Sequence, residues 1–272
     1  MNYQKLAKLP EKLLDLSSPP KEIFYIAKED SGRGQNDIFK NCVAVVGSRR
    51  MTDYGRRVIE KLIPQLVFEK KTVVSGFMYG TDQYAHQTTI NNGGKTIAVL
   101  GWGVNKKLED YDKKLAEEII NSGGLLISEW EEQEGALWTF PARNRIVAAL
   151  SDEVFVIEAA EKSGSLITAR MAEKLKRKVW AVPGPITSKT SVGTNNLIAE
   201  GKAKMWLGQP QQQKLNINDP ILNILENESL TADELARKLN KSIVAIGTEL
   251  SMLLLNGVIL ERSGKYYLTD VS

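Results

Sequence analysis

Residues 43–55 have the sequence VAVVGSRRMTDYG, which predicts a strand, a turn and the start of a helix. Four apolar residues in a row are typical of a strand buried on both faces, and Thr52 or Asp53 would cap the helix that follows. In a doubly wound α/β fold, ligands bind at the carboxyl ends of the strands, where a glycine lets backbone N–H groups face an anion. The stretch therefore predicts an anion site around Gly47, Ser48, Arg49 and Arg50.

The alternation of strand and helix continues along most of the chain. Helical patterns of about 10 to 18 residues separate short apolar segments, as in a parallel sheet with crossover helices. Near-continuous apolar strands favour a sheet that is covered on both faces. The predicted fold class is α/β, with a doubly wound and mostly parallel sheet. The predicted strands are 42–47, 72–76, 95–101, 124–129, 153–158, 178–184 and 203–206.

A polar, glutamine-rich segment with a proline predicts a linker between two domains. The second domain has the order of a winged-helix domain, with three predicted helices and then a hairpin. Its third helix ends at Gly257 and has no Arg or Lys on its polar side, so we expect a role in protein interaction or structure rather than DNA reading. The predicted divisions are a short leader (1–40), the α/β domain (41–207), the linker (208–219) and the small domain (220–272).

Composition and charge restrict the function classes. The content of 42% hydrophobic and 25% charged residues is that of an ordinary globular protein. One cysteine excludes an internal disulfide, and one histidine excludes the usual zinc clusters. No signal peptide or membrane span is predicted, so we expect a cytoplasmic protein. Lys and Arg outnumber Asp and Glu by 23 to 19 over residues 41–207 but number 6 against 8 over residues 208–272, which favours the α/β domain for any nucleic acid.

The sequence contains partial matches to two phosphate-binding motifs, and both are incomplete. G-x-G-x-x-G is absent after Val46, and the next strand ends without an acidic residue for a ribose hydroxyl, which argues against NAD or FAD. The GGKT segment at 93–96 lacks the P-loop spacing and precedes a strand, so it is predicted to be a turn. No cofactor and no metal are expected.

The strand ends carry more information than these motifs. Turns rich in Gly, Ser and Thr follow four further strands, and one of them opens a helix at Ser163 or Ser165. A single turn of this kind needs glycine only for its geometry, but together they favour a crevice that binds phosphate. These turns are 75–86, 101–107, 158–169 and 183–195.

The segment between the fourth and fifth strands combines arginine with aromatic residues. Arg143 and Arg145 follow Trp138 and Phe140 at the start of a predicted helix, and such a mixture suits single-stranded nucleic acid. Alternatively, one of the two arginines forms a salt bridge with a glutamate among residues 129–132. The lone histidine, His86, could bond Asp82 one helical turn away, and we expect it to be structural.

Six segments, in this order and at these distances, resemble the bacterial DprA/Smf family, DNA-processing protein A. They are GSRRMTDYG, SGFMYGTDQYAH, TIAVLGWG, FPARNRIVAALS, SGSLITA and AVPGPITSKTSVGTNNLIAEG, within roughly residues 19–207. The resemblance implies an extended Rossmann domain that binds single-stranded DNA without strong sequence preference. It further implies protection of incoming DNA in natural transformation, loading of the RecA recombinase, a homodimer, a C-terminal winged-helix domain and no catalytic activity.

The resemblance also assigns residues. Arg49 would hold a phosphate of single-stranded DNA over the strand ends, and the segment containing Met205 and Trp206 is a candidate dimer interface. Tyr79 departs from the family pattern, because YGTD stands where the family has an arginine-glycine-isoleucine-aspartate run. The residues expected at the DNA are Gly47, Ser48, Arg49, Arg50, Phe140, Arg143, Asn144, Arg145, Lys162, Ser163, Gly164, Ser165, Thr168 and Asn195.

Two other functions compete with this interpretation. Rossmann-fold enzymes that release a base from a nucleoside monophosphate share PG and GT turns with this chain, but Leu197 stands where they have a catalytic glutamate. A winged-helix regulator of duplex DNA is the second alternative. The acidic tail and the third helix without cations argue against it.

Overall fold

The computed structural model describes residues 2–28, 37–208, 219–255 and 258–268. The chain divides into two compact units, Met1–Gly208 and Gln209–Ser272. Each unit has its own hydrophobic core, and the first contains all of the candidate site residues. Most of the predicted linker lies outside the described residues.

One mixed sheet of nine strands organises the described part of the first unit. Its strands are β1 (Gln4–Lys5), β2 (Phe24–Ile26), β3 (Cys42–Val46), β4 (Thr72–Ser75), β5 (Thr96–Val99), β6 (Leu125–Ser128), β7 (Glu153–Val156), β8 (Lys178–Ala181) and β9 (Lys204–Met205). The order across the sheet is β1-β2-β6-β5-β4-β3-β7-β8-β9. All neighbours from β6 to β9 in this order are parallel, whereas β1 and β2 add to one edge as antiparallel strands.

The seven predicted strands are all present, with shorter bounds than predicted. The predicted mostly parallel α/β sheet is therefore confirmed. The two additional strands lie within the predicted leader. With two and three residues, they are too short to show an alternating or continuous apolar pattern, and β2 is fixed by pairing with β6, where Tyr25 lies opposite Ile127.

Helices cover both faces of the sheet. They are α1 (Asp53–Phe68), α2 (Thr81–Asn91), α3 (Asp110–Asn121), α4 (Thr139–Leu150), α5 (Ser165–Lys174) and α6 (Val192–Ala199). Thr52 is the N-cap of α1, since its side chain accepts a hydrogen bond from the backbone N–H of Gly55 at 3.4 Å. The apolar side of α1 then recurs at helical spacing and is buried through Ile59, Ile63 and Leu66.

The sheet has a topological switch beside β3. From β3 the chain proceeds outward to β4, β5 and β6, and it then returns to the other side of β3 with β7. The loops that leave β3 and β7 therefore diverge, and a crevice opens at their carboxyl ends. Gly47 follows β3 and Glu158 closely follows β7, so both lie at this edge.

The described residues of the second unit form three helices and a hairpin. Thr231 and Glu234 form a reciprocal capping box at the start of its second helix. The hairpin turns through Ser263 and Gly264, both with positive φ. Gly257, the predicted end of the third helix, lies outside the described residues. The elements are α7 (Pro220–Leu225), α8 (Ala232–Leu239), α9 (Ile243–Leu255), β10 (Ile259–Arg262) and β11 (Lys265–Leu268).

Candidate nucleic-acid interface

The loop after β3 is fixed to the start of α2. The backbone N–H and the hydroxyl of Thr81 both donate to the Ser48 carbonyl at 3.1 Å. Gly47 allows this approach, because a Cβ there would lie 2.6 Å from Thr81 Oγ1. The loop is therefore held by its backbone, and the side chains of Arg49 and Arg50 are left exposed.

Arg49 lies over an aromatic ring. Its guanidinium carbon is 5.2 Å from the centroid of the Phe140 ring, within the range of a cation–π interaction. Phe140 belongs to the first turn of α4, whereas Arg49 follows β3, so two distant segments meet here. The contact orients the guanidinium while its N–H groups remain available to an anion.

A cleft of about 520 Å³ lies beside Phe140 at the carboxyl ends of β4 and β5. Its aromatic wall is continuous, because the Trp102 ring centroid lies 6.4 Å from those of both Phe77 and Phe140. Gly101 permits the approach of Phe140, since a Cβ there would lie 2.7 Å from the ring. The residues that line the cleft are Phe77, Met78, Tyr79, Gln83, Trp102, Lys106, Lys107, Leu108, Glu109, Tyr111, Asp112, Gly135 and Phe140.

The mouth of the cleft has exposed aromatic and cationic side chains. Tyr79 and Tyr111 are 57% and 71% exposed. Lys106 and Lys107 are also exposed, and Lys106 forms an ion pair with Glu134 at 2.7 Å. Base-stacking rings beside backbone-attracting cations are what single-stranded nucleic acid requires. None of these four residues was among the predicted site residues, although Tyr79 and the turn at 101–107 had been noted in the sequence.

Arg143 is placed inside the fold and does not reach the surface. It is only 3% exposed, its Nη1 donates to the Val99 carbonyl, and its Nε donates to the Asn144 side-chain oxygen at 3.1 Å. Burial lowers the pKa of Arg143, and the nearby Asp82 carboxylate opposes that shift. The predicted contact between Arg143 and DNA therefore needs correction, because a phosphate on the surface cannot reach this side chain. The sequence prediction places it at the start of a helix, whereas it lies in the second turn of α4, on the face that packs on the sheet.

The next two residues of α4 also have partners within the protein. Asn144 Nδ2 donates to the Gly164 carbonyl at 3.2 Å, which joins α4 to the loop before α5. Arg145 forms a salt bridge with Glu129, one of the alternatives predicted from the sequence, so that alternative is confirmed. Burial raises the pKa of Glu129 above its usual value, although the charge of the neighbouring Arg145 partly opposes this shift. Neither residue presents a free side chain to the cleft.

The loop before α5 divides into exposed and buried residues. Lys162 and Gly164 are exposed, and Ser163 is partly buried with its hydroxyl 2.8 Å from that of Ser165. Ser165, one of the two predicted helix starts, is the first residue of α5. Both Ser165 and Thr168 are buried. Only the exposed part of this predicted wall is available to a ligand.

The side chain of Asn195 forms hydrogen bonds within the fold. Its side-chain oxygen accepts from the Gly184 backbone N–H at 3.1 Å, and its Nδ2 donates to the Gly184 carbonyl at 3.0 Å. Both ends of the amide are thus used to fix the turn after β8. The expected DNA contact of Asn195 has no support from this geometry.

The N-terminus of α1 is occupied by a carboxylate of the protein itself. Glu158 is 2% exposed, and it accepts from the Thr52 backbone N–H at 2.9 Å, from the Thr52 hydroxyl at 2.7 Å and from the Thr190 hydroxyl at 3.1 Å. Gly55 leaves room for it, since a Cβ there would lie 2.5 Å from Glu158 Oε2. The position where a Rossmann fold holds a pyrophosphate is therefore filled. The loop residues before this helix remain the place at which the sequence predicts an anion.

His86 is structural, but with other partners than predicted. Its Nε2 donates to the Gly76 carbonyl at 2.6 Å, its Nδ1 lies 2.6 Å from the oxygen of the Thr96 hydroxyl, which itself donates to the Val73 carbonyl, and Asp82 is not among these partners. Burial lowers the pKa of His86 to about 4. In the described part of the chain, no group of acidic, cysteine or histidine side chains could hold a metal ion.

A comparison with known families matches residues 3–216 to the model for DNA recombination-mediator protein A. The chain belongs to this family. The resemblance to DprA/Smf proteins is thereby confirmed, and it extends over most of the first unit together with the site just described.

Individual members of the family are similar over three quarters of this chain. DNA processing protein DprA of Streptococcus pneumoniae is 40% identical over 209 residues, which cover 74% of this chain and 68% of that protein. Protein Smf of Synechocystis is 38% identical over 206 residues, which cover 74% of this chain and 50% of that protein. The chain thus spans about half to two thirds of the length of these relatives.

Two solved structures of family members share the fold. The X-ray structure of DprA from S. pneumoniae has 37% sequence identity and a TM-score of 0.67, and the match covers 75% of this chain and 71% of that one. DNA processing protein A from Helicobacter pylori, which was studied for its single-stranded DNA binding mode, has 28% identity and a TM-score of 0.66, with 82% and 96% covered. Among the described residues of this chain, no helix has the length and apolar character needed to cross a membrane.

Proposed function

We propose that this protein binds single-stranded DNA, without sequence preference, at the edge formed by the carboxyl ends of β3, β4 and β5. The contact between Arg49 and Phe140 is the observation that carries the proposal. An exposed guanidinium is held over a ring at the rim of a cleft whose lining combines aromatic and cationic side chains with the carboxylates of Glu109 and Asp112. Such a surface attracts the phosphates and stacks the bases of a flexible strand, whereas a stiff duplex keeps its bases stacked inside.

The residues proposed to touch DNA combine four of the predicted residues with three that the structure adds. Arg49, Arg50, Phe140 and Lys162 are accessible, and Tyr79, Lys106 and Lys107 join them from the cleft. The buried residues Arg143, Ser165 and Thr168 then support the surface from below. The similarity to the H. pylori protein, described for its single-stranded DNA binding, supports the same ligand.

Further roles follow from family membership. We propose that the protein protects incoming single strands in the cytoplasm and loads RecA on them, as a homodimer and without catalysis. We also propose that the three helices and the hairpin of the second unit form a winged-helix domain. Its third helix offers Thr248, Glu249 and Ser251 but no Arg or Lys within α9, which favours a protein partner over duplex DNA.

The nucleotide-hydrolase alternative has no supporting observation. Glu158 fills the helix N-terminus where a nucleotide phosphate would lie, and its negative charge would repel such a ligand. Leu197, which stands in place of the catalytic glutamate, is buried in α6. Release of free base from a nucleoside monophosphate by the purified protein would revive this alternative.

The test is fluorescence anisotropy of a labelled oligo-dT with the wild type and Arg49→Ala. We expect the substitution to weaken binding by about 1 to 3 kcal/mol, the range of a charge-assisted phosphate contact, with a nearly unchanged melting temperature. Lys95→Ala is the matched control, because it removes a positive charge that precedes β5, at the opposite edge of the sheet. Equal loss in both variants, or displacement by duplex as readily as by single strand, would refute the proposal.

A further inference from the structure

Three charged side chains, those of Arg49, Asp82 and Arg143, come together at the edge proposed to bind DNA. The Ser48 carbonyl accepts a hydrogen bond from the Thr81 hydroxyl. The backbone of Arg49 therefore lies beside the first turn of α2, which contains Asp82. Arg143 approaches the same place from α4, and a Cβ at Gly76 would overlap both the Asp82 carboxylate and the Arg143 guanidinium. Two cations therefore flank one carboxylate, with Arg143 inside and Arg49 at the surface.

The carboxylate of Asp82 has few other partners. The backbone N–H of Met78 donates to it at 3.4 Å, a long hydrogen bond. Burial raises the pKa of Asp82, whereas the charge of Arg143, the hydrogen bonds from Met78 and Ser75 and, with the smallest effect, the charge of Arg49 act against this shift. A carboxylate taken from water needs a nearby cation, since a buried charge without one is strongly destabilising.

We propose that Arg143 is a positioning residue that neutralises Asp82 and thereby leaves Arg49 free over Phe140 to hold a phosphate. This inference rests on the proposed function. Arg143 is suited to the task because Val99 and Asn144 fix its guanidinium from two further sides. Without Arg143, the nearest remaining cation is Arg49, whose long side chain turns inward to Asp82 and leaves the DNA surface.

Substitution of the pair tests this role by oligo-dT anisotropy, with thermal melting in parallel. Arg143→Met should weaken binding about tenfold, as Arg49→Ala does, because the same phosphate contact is lost. The double variant Asp82→Asn/Arg143→Met, which removes the carboxylate that would draw Arg49 inward, should recover binding to within about threefold of the wild type. Direct contact of Arg143 with DNA predicts no recovery.

The single variant Asp82→Asn keeps the inference testable if Arg143→Met does not fold. It should bind oligo-dT at least as tightly as the wild type, because nothing then competes with DNA for Arg49. A loss as large as that of Arg49→Ala would overturn the inference, as would a double variant that stays weak or an Arg143→Met variant that binds normally. Absence of binding by the wild type, or normal binding by Arg49→Ala, would instead overturn the proposed function and the inference with it.

Discussion

His86 links the stability of the first unit to pH. It is fully buried, and its two ring nitrogens join the end of β4 to the start of β5 through Gly76 and Thr96. Burial lowers its pKa from 6.5 to about 4, so the folded protein keeps this imidazole neutral in a range where the unfolded chain protonates it. Stability from this residue is therefore present above pH 6.5 and is lost as the pH falls towards 4.

The free energy of unfolding should reflect this single group. Between pH 7.5 and 5.5 we expect the contribution of His86 to the free energy of unfolding to fall by about 1 kcal/mol, because the unfolded state binds a proton in this range and the folded state does not. Urea unfolding of the wild type and His86→Gln at both pH values measures the difference, and the carboxylates cancel in the comparison. An identical pH dependence in the two proteins would show that folding does not lower the pKa of His86.

Residue roles within the FPARNR segment could be predicted only in part. The sequence indicates arginine beside aromatic residues and a glutamate among residues 129–132 as a salt-bridge partner, but the choice of Arg145 and Glu129 is made only by the fold. The burial of Arg143 depends on Asp82, Gly76 and Val99, which belong to other elements. No local pattern contains that information, since the positions are brought together only by the order of strands in the sheet.

Glu158 links three parts of the fold through its hydrogen bonds. It connects the start of α1, through Thr52, with the loop before α6, through Thr190, while it is itself part of the chain that leaves β7. Its carboxylate complements the positive end of the α1 dipole. At the topological switch, the N-terminus of α1 is thus filled by a carboxylate of the protein itself.

Removal of this carboxylate should destabilise the fold. We expect Glu158→Ala to lower the free energy of unfolding by about 2 to 4 kcal/mol, because buried donors lose a charged acceptor. Thr190→Val, which removes one of the three hydrogen bonds, should cost about 1 kcal/mol. Denaturant unfolding compares the two variants with the wild type. A Glu158→Ala variant as stable as the wild type would contradict a stabilising role for these hydrogen bonds.

Elements with a strong apolar pattern were predictable, and the two antiparallel edge strands were not. The parallel strands β3 to β7 have four or five consecutive residues that are mostly buried, which makes each of them visible in the sequence. The strands β1 and β2 have only two and three residues, and they exist because β6 offers a free edge. That edge is a property of the assembled sheet.

The whole molecule carries its positive charge unevenly. The net charge is +3, yet residues 208–272 contain more Asp and Glu than Lys and Arg. We therefore expect the first unit to attract a polyanion, since its cleft also contains aromatic rings on which unpaired bases could stack. The sequence alone predicted this division by charge, whereas the position of the cleft beside Phe140 required the packing of α4 on β5.

The salt dependence of single-strand binding tests the central claim most directly. A protein that neutralises phosphates releases counterions, so the logarithm of the association constant falls linearly with the logarithm of salt concentration, by about 0.7 for each phosphate on a single strand. We expect a clear negative slope for the wild type with oligo-dT and a slope shallower by about 0.7 for Arg49→Ala, with Lys95→Ala unchanged. Equal slopes for the wild type and Arg49→Ala would contradict the claim that Arg49 holds a phosphate of single-stranded DNA.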